Sequence, residues 1–132
     1  MTPAAHAQTA NVTVDTTTTV RLVDEKVFGL NTAVWDSAYP DPQTVLDLKD
    51  MQVRVLRYPG GSSADDYNWQ NNTSQVEGQN AGSTNFDTFA ASALAAGTQV
   101  VITANYGSGT PQEAAAWVTY SNVTKGYGFK YW

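Results

Sequence analysis

Hydrophobic and polar positions change period several times along this chain, and each change marks an expected element. Residues 11–24 are rich in Val and Thr in rough alternation, which predicts a short β-hairpin or edge strand with a turn at Asp24-Glu25-Lys26. Val27 to Trp35 reads as the first interior strand. Val45, Leu46, Leu48 and Met51 then fall at helical spacing behind Asp41-Pro42, an N-cap acceptor followed by proline at the first helical position. Val53 to Tyr58 is a second strand, stopped by Pro59-Gly60-Gly61. A polar loop covers 62–82, and loops of this length in compact domains are usually functional or disordered. Thr84 opens a second helix, with Asp87 three residues on as a variant capping box. Phe86, Phe89, Ala90, Ala93 and Leu94 form its apolar face, and Gly97 its left-handed stop. Gln99 to Tyr106 is a third strand whose near-continuous apolar run predicts cover on both faces. Thr110-Pro111-Gln112-Glu113 is a full capping box that starts a third helix reaching Val123. Gly128 to Trp132 opens a fourth strand.

Strands alternating with helices call for an α/β fold with a parallel sheet and right-handed crossovers. The expected architecture is a partial (β/α)8 TIM barrel, about the first three and a half βα units, preceded by the short hairpin or edge strand. Residues 11–132 are then the N-terminal part of a catalytic barrel domain. A rival is a small flavodoxin-like α/β module that binds a sugar or phosphate at the Gly107–Thr110 turn without turnover. An all-β module is opposed by the helix-forming segment 110–123.

Composition narrows the chemistry. The chain has no cysteine, which excludes thiol catalysis, disulfides and Cys-based zinc sites from it, and one histidine, His6, which excludes multi-His metal centres. No cofactor and no metal are expected. The net charge is −5 and no Lys/Arg cluster occurs, against a nucleic-acid partner. No apolar run approaches the ~20 residues of a membrane span. With only 14 % charged residues, solubility rests on Ser, Thr, Asn and Gln, a surface suited to an exported protein that handles neutral polar ligands. Ala5-His6-Ala7 before Gln8 has the form of a signal-peptide cleavage site. Residues 1–10 are read as a signal remnant or a disordered tail, and the expected location is secreted or periplasmic.

Ligands of parallel α/β sheets meet the loops after the C-terminal strand ends. That rule places Asn31, Trp35 and Asp36, then Arg57 and Tyr58, then Asn105 and Tyr106 at the rim; Tyr58 also reads as core, and the other six are the substrate-binding candidates. Amides and a guanidinium hydrogen-bond sugar hydroxyls, and aromatic faces stack on the C–H patches of the ring. Trp35 also reads as core, and Asn105 as a turn former. Arg57 interrupts an apolar strand, so it needs a partner: an ion pair inside the sheet or a ligand. The carboxylates supply no pair of the kind glycoside hydrolysis needs. Glu113 belongs to a cap, Glu25 to a turn remote from the rim, Glu77 to the polar loop, and Asp65 and Asp66 are adjacent.

The sequence Leu56-Arg57-Tyr58-Pro59-Gly60-Gly61, followed by Tyr67-Asn68-Trp69, resembles the second-strand motif of α-L-arabinofuranosidase-like glycoside hydrolases. Residues 105–118, Asn105-Tyr106-Gly107-Ser108-Gly109-Thr110 through Trp117-Val118, are similar to the third strand and helix of that group. Tyr127 to Trp132 looks like the approach to its fourth-strand motif, E-x-G-N-E. The resemblance implies a (β/α)8 barrel, a carbohydrate substrate, and hydrolysis with retention by two glutamates ~5–5.5 Å apart. It places the acid/base on strand four and the nucleophile on strand seven, so that no catalytic residue is expected in this chain. It assigns Arg57, Asn31, Asn105 and Tyr106 to the supporting rim. The chain departs from the group at Ala33, where a substrate-binding Glu is common, and at Ser62, where Asn is common; another plant-wall glycoside stands beside arabinofuranose as the sugar.

Overall fold

Each helix begins where a side-chain acceptor meets an orphan backbone N–H. The computed structural model describes residues 9–74 and 81–132. Helix α1, Pro42–Asp50, is capped by Asp41, whose carboxylate accepts from Gln43 N at 2.8 Å. Helix α2, Phe86–Ala96, is capped by Asn85, which accepts from Thr88 N at 2.9 Å. Helix α3, Pro111–Thr119, is capped by Thr110, which accepts from Glu113 N at 3.1 Å. A π-helical turn, Tyr120–Thr124, prolongs α3. Gly97 closes α2 with φ +76°, a left-handed conformation that favours glycine.

The strands are β1 (Gly29–Asn31), β2 (Val55–Tyr58), β3 (Tyr67–Asn68), β4 (Thr73–Ser74) and β5 (Gln99–Ile102). β1, β2 and β5 form one parallel sheet in the order β1-β2-β5, and β3 and β4 form a small antiparallel hairpin. Beyond β5 a parallel bridge joins Val101 to Tyr131, and Ile102 N donates to Tyr131 O at 2.9 Å. The strands therefore follow chain order across the sheet. A flavodoxin-like module reverses that order after its first strand, so the topology of the described residues removes the rival reading.

The parallel register puts Leu30, Leu56 and Val100 level with one another, and Asn31, Arg57 and Val101 level on the next row. Side chains alternate between faces. Leu56, Tyr58, Val100 and Ile102 are buried against the helices, while Val55, Arg57, Val101 and Thr103 are half-exposed on the other face. The helix-side core is aromatic. Tyr58 stacks on Phe89 at 4.5 Å between ring centroids, and Trp117 meets Tyr58, Tyr67, Phe86 and Trp132 edge-on or tilted and lies parallel to Trp69 at 5.9 Å. Such pairs add roughly 0.5–1.5 kcal/mol each beyond the area they bury.

Several expectations are corrected. Residues 11–24 form neither hairpin nor edge strand: Val12, Val14, Val20 and Leu22 are exposed, and alternation yields a strand only where a partner supplies the ladder. Asp24-Glu25-Lys26 does turn, as part of a 3-10 segment, Glu25–Val27, capped by the Asp24 carboxylate. The polar loop after β2 is partly ordered, with a 3-10 turn, Gly61–Asp65, and the β3–β4 hairpin. The α2 cap is Asn85 and not Thr84, which is buried and donates its hydroxyl to Asp36 O at 2.9 Å. β5 is covered on one face only. Leu46, Met51 and Leu94 lie exposed, so the helical stripes are narrower than their spacing implied.

Asp87 has no capping partner at residue 84; it ties α2 to the chain after α3. Its carboxylate accepts from Lys125 Nζ at 2.7 Å, the Tyr120 hydroxyl at 2.8 Å and the Tyr127 hydroxyl at 3.1 Å. Burial pushes the Asp87 pKa up, but the bonds from Lys125, Tyr120 and Tyr127 outweigh it and hold the group below its ordinary 3.8. A depressed carboxylate pKa adds stability above the unfolded value, and that stability is lost as pH falls through the folded value. Asp87→Asn is thus expected to be less stable than the wild type at pH 7. The gap should close as pH drops below 3.8. Urea melts at a series of pH values measure it; a gap that stays constant into acid would refute the assignment.

Candidate functional site

The site sits on the open face of the sheet, at the C-terminal ends of β1, β2 and β5. Register places Asn31 beside Arg57, and strand alternation puts Thr103 on the same face as Val101. The Arg57 guanidinium spans the three strands: Nη1 donates to Asn31 Oδ1 at 3.1 Å and Nε to Thr103 Oγ1 at 2.9 Å. Among the described residues no carboxylate lies within ion-pair distance of Arg57. The ion-pair alternative for Arg57 thus has no partner there. A half-exposed guanidinium held by neutral oxygens fixes its orientation and keeps donors for an anionic or hydroxylated group.

The backbone behind this row is drawn tight. Arg57 O accepts from both Thr32 N, at 3.0 Å, and Thr32 Oγ1, at 2.6 Å. Pro59 O accepts from Val34 N at 3.1 Å. Gly60, at φ +95°, passes so near the first βα loop that a Cβ there would stand 1.7 Å from Thr32 O. Further back, the Tyr58 hydroxyl contacts Tyr67 at 2.7 Å and Thr84 O at 2.8 Å, and the Tyr67 hydroxyl donates to Asn72 Oδ1 at 2.9 Å. Burial pushes the Tyr67 pKa up to about 12, with the Tyr58 bond acting against it, and raises Tyr58 strongly in the same direction. Both stay protonated and pin the hairpin to the start of α2.

The other sequence candidates divide. Trp35 is 57 % exposed beside Gly61 and can offer a ring face. Tyr106 is 96 % exposed and lines a cleft of about 330 Å³ with Asn105, Thr110 and Pro111. The Asp36 carboxylate is spent on its own turn, accepting from Ala38 N at 2.9 Å. Asn105 folds the following turn: Oδ1 accepts from Ser108 N at 2.9 Å, and Nδ2 donates to Ser108 Oγ at 3.0 Å and Tyr67 O at 3.4 Å. Glu25 pairs with Arg54, at the opposite end of β2. Asp66 accepts from the Ser74 hydroxyl. Glu77 lies outside the described residues, as does the Ala5-His6-Ala7 pattern. Sequence reasoning missed Thr103, although a Thr two residues after Val101 in an apolar strand was the available signal.

The described part of the chain is thus a mixed α/β unit with a parallel sheet in sequential order, helices on one face and a polar rim at the strand ends. Its sequence relatives are α-L-arabinofuranosidases. It is 38 % identical over 85 residues to an intracellular exo-α-L-arabinofuranosidase of Bacteroides ovatus, covering 55 % of this chain and 16 % of the relative. It is 33 % identical over 89 residues to a probable α-L-arabinofuranosidase C of Aspergillus niger, covering 59 % and 18 %. Solved structures share the fold. The GH51 arabinofuranosidase of Xanthomonas axonopodis pv. citri matches 76 % of this chain and 26 % of its own at a TM-score of 0.62 and 24 % identity. A GH51 enzyme of Thermotoga petrophila matches 85 % and 31 % at a TM-score of 0.61 and 21 % identity. No protein-family model matches the chain. The chain spans 16–18 % of the length of these curated relatives.

Proposed function

We propose that this chain forms the first βα units of a (β/α)8 retaining glycoside hydrolase and carries part of its sugar-binding rim. The substrate is an α-L-arabinofuranoside or, given Ala33 and Ser62, a related plant-wall glycoside. The observation that carries the reading is Arg57, stretched between Asn31 and Thr103 across an open parallel sheet face at the strand ends where barrel enzymes work. The sequential strand order and the names of the relatives agree with it. In a closed barrel the open face becomes the interior, and Arg57 faces the centre.

The chemistry of this class needs one carboxylic acid to protonate the leaving oxygen and one carboxylate to attack the anomeric carbon. Asp36, Asp66, Glu25 and Asp87 are engaged in turns, hydroxyl bonds or ion pairs. The reading therefore assigns both glutamates to parts of the enzyme beyond these residues. Arg57 then acts on the nucleophile: a fixed cation keeps a carboxylate ionised and aligned. Export follows from Ala5-His6-Ala7-Gln8.

Two measurements test this. The 132-residue chain should release no aglycone from an aryl α-L-arabinofuranoside; turnover lost on Asp36→Asn or Glu77→Gln would overturn the placement of the glutamates. In the whole enzyme, Arg57→Ala should lower kcat/KM by about 100-fold or more, as loss of a preorganised electrostatic donor does. Full activity of that variant would sink the reading.

A further inference from the structure

One cavity lined by described residues lies away from the Arg57 row. It measures about 450 Å³, and Trp69, Gln70, Asn71, Asn85, Asp87 and Tyr120 are among the residues that line it, with Phe86 and Asn72. It shares no residue with the Asn31–Arg57–Thr103 site. Its volume falls in the ~300–1,000 Å³ range of small-molecule pockets.

The lining has a definite chemical character. Trp69, Phe86 and Tyr120 supply ring surface: Trp69 and Tyr120 lie 5.0 Å apart at 40°, and Phe86 and Tyr120 6.4 Å apart at 50°. Trp69 is fixed from behind, because it stacks on Trp117 within 6° of parallel and its Nε1 donates to Glu113 O at 3.3 Å. Three side-chain amides keep unused donors. Asn71 Oδ1 is taken by Thr73 Oγ1, and Asn85 Oδ1 by Thr88 N, which leaves both Nδ2 groups unengaged. Gln70, exposed at the tip of the hairpin, donates its backbone N–H to Asn68 Oδ1 at 2.9 Å, while its side-chain amide has no bond among the described residues. The one charge on the wall, Asp87, is matched by Lys125 at 2.7 Å and two tyrosine hydroxyls, and its Oδ1 accepts a single bond from Tyr127. The cavity thus offers amide donors, one spare carboxylate lone pair and aromatic carbon, with no net charge to attract an ion. Neutral polyols match that set: their oxygens accept from amides, their hydroxyls donate to carboxylate, and their C–H faces cover rings.

We infer that this cavity, between the β3–β4 hairpin and the first turn of α2, is a second binding site for a neutral saccharide. It lies apart from the rim, and its one carboxylate, Asp87, is paired with Lys125, so it is a binding site and not a place of bond cleavage. The inference does not need the glycosidase reading; that reading guides only the choice of probe.

The test uses the 132-residue chain, 15N-labelled. Arabino- and xylo-oligosaccharides are titrated in turn while the Trp69 indole N–H is followed by NMR, its resonance assigned by Trp69→Phe. A saturable shift with either sugar is expected. The double variant Gln70→Ala/Asn71→Ala removes only exposed side chains and should keep the wild-type spectrum; it should weaken the dissociation constant at least tenfold. Trp35→Ala, on the rim, should leave that constant unchanged. No saturable Trp69 shift with either sugar, unchanged affinity in the double variant, or equal loss in Trp35→Ala would each overturn the inference. Failure of the glycosidase reading would register separately, in the aglycone-release and Arg57→Ala assays.

Discussion

Trp117→Ala is expected to lower the unfolding free energy by about 3–5 kcal/mol, the range for emptying an aromatic site in a packed core. Trp117 is 1 % exposed and touches five other aromatic rings, contributed by β2, the hairpin, α2 and the C-terminal segment. The loss is a large share of the ~5–15 kcal/mol that holds a typical domain together. Trp117→Phe should behave differently. Trp117 Nε1 is buried and finds no acceptor among the described residues. An unmet buried donor costs about 1–3 kcal/mol, so removing it offsets part of the lost volume. The phenylalanine variant should therefore sit within about 2 kcal/mol of wild type. Urea titrations of the three proteins decide it. Equal destabilisation by both substitutions would show that the indole nitrogen carries a bond, and a mild alanine variant would show that the aromatic cluster is not the core.

Gly60→Ala should be nearly as damaging for a different reason. The added Cβ would meet Thr32 O at 1.7 Å, Thr32 C at 2.9 Å and Asn31 Nδ2 at 3.1 Å, at a φ of +95° that L residues rarely adopt. Two of those atoms are backbone and cannot turn aside. The expected cost is on the order of 3 kcal/mol or more, steric clash and strained φ together. The consequence reaches the site, because β1 must move away from β2 and the Asn31–Arg57 bond of 3.1 Å breaks. Gly97→Ala is the control: φ is +76°, but nothing lies within 4 Å of the added carbon. It should cost only about 1 kcal/mol, the conformational part alone. Urea midpoints give the energies, and the Arg57 Nε–H resonance reports the rim. If Gly60→Ala matched Gly97→Ala in both, the close approach of the first βα loop to Gly60 would be wrong.

Much of the local structure was legible in residues whose effect is short-ranged. Asp41-Pro42 and Thr110-Pro111 start helices because a side-chain oxygen and a fixed φ act within one turn. Gly97 ends one for the same kind of reason. Phe86, Phe89, Ala90 and Ala93 face the core because a 3.6-residue period determines which side they share. Arg57 stood out as a charge within an apolar strand, and the family motifs around it pointed to a glycosidase.

Tertiary structure decided what depended on partners distant in sequence. Alternation in residues 11–24 is a local pattern, but a strand exists only by pairing, and none of the described segments pairs with it. Asp87 was read as a cap from its spacing to Thr84; instead it meets Lys125, Tyr120 and Tyr127, 33 to 40 residues away. Thr103 became the second anchor of Arg57 only through the register of β2 on β5, 46 residues apart. The Trp69–Asn85–Tyr120 cavity lies between three segments that no local pattern relates. Caps, stops and faces are set by energies that act over one turn of chain. Which acid finds which base, and which amide is left with a free donor, is set by how those elements pack.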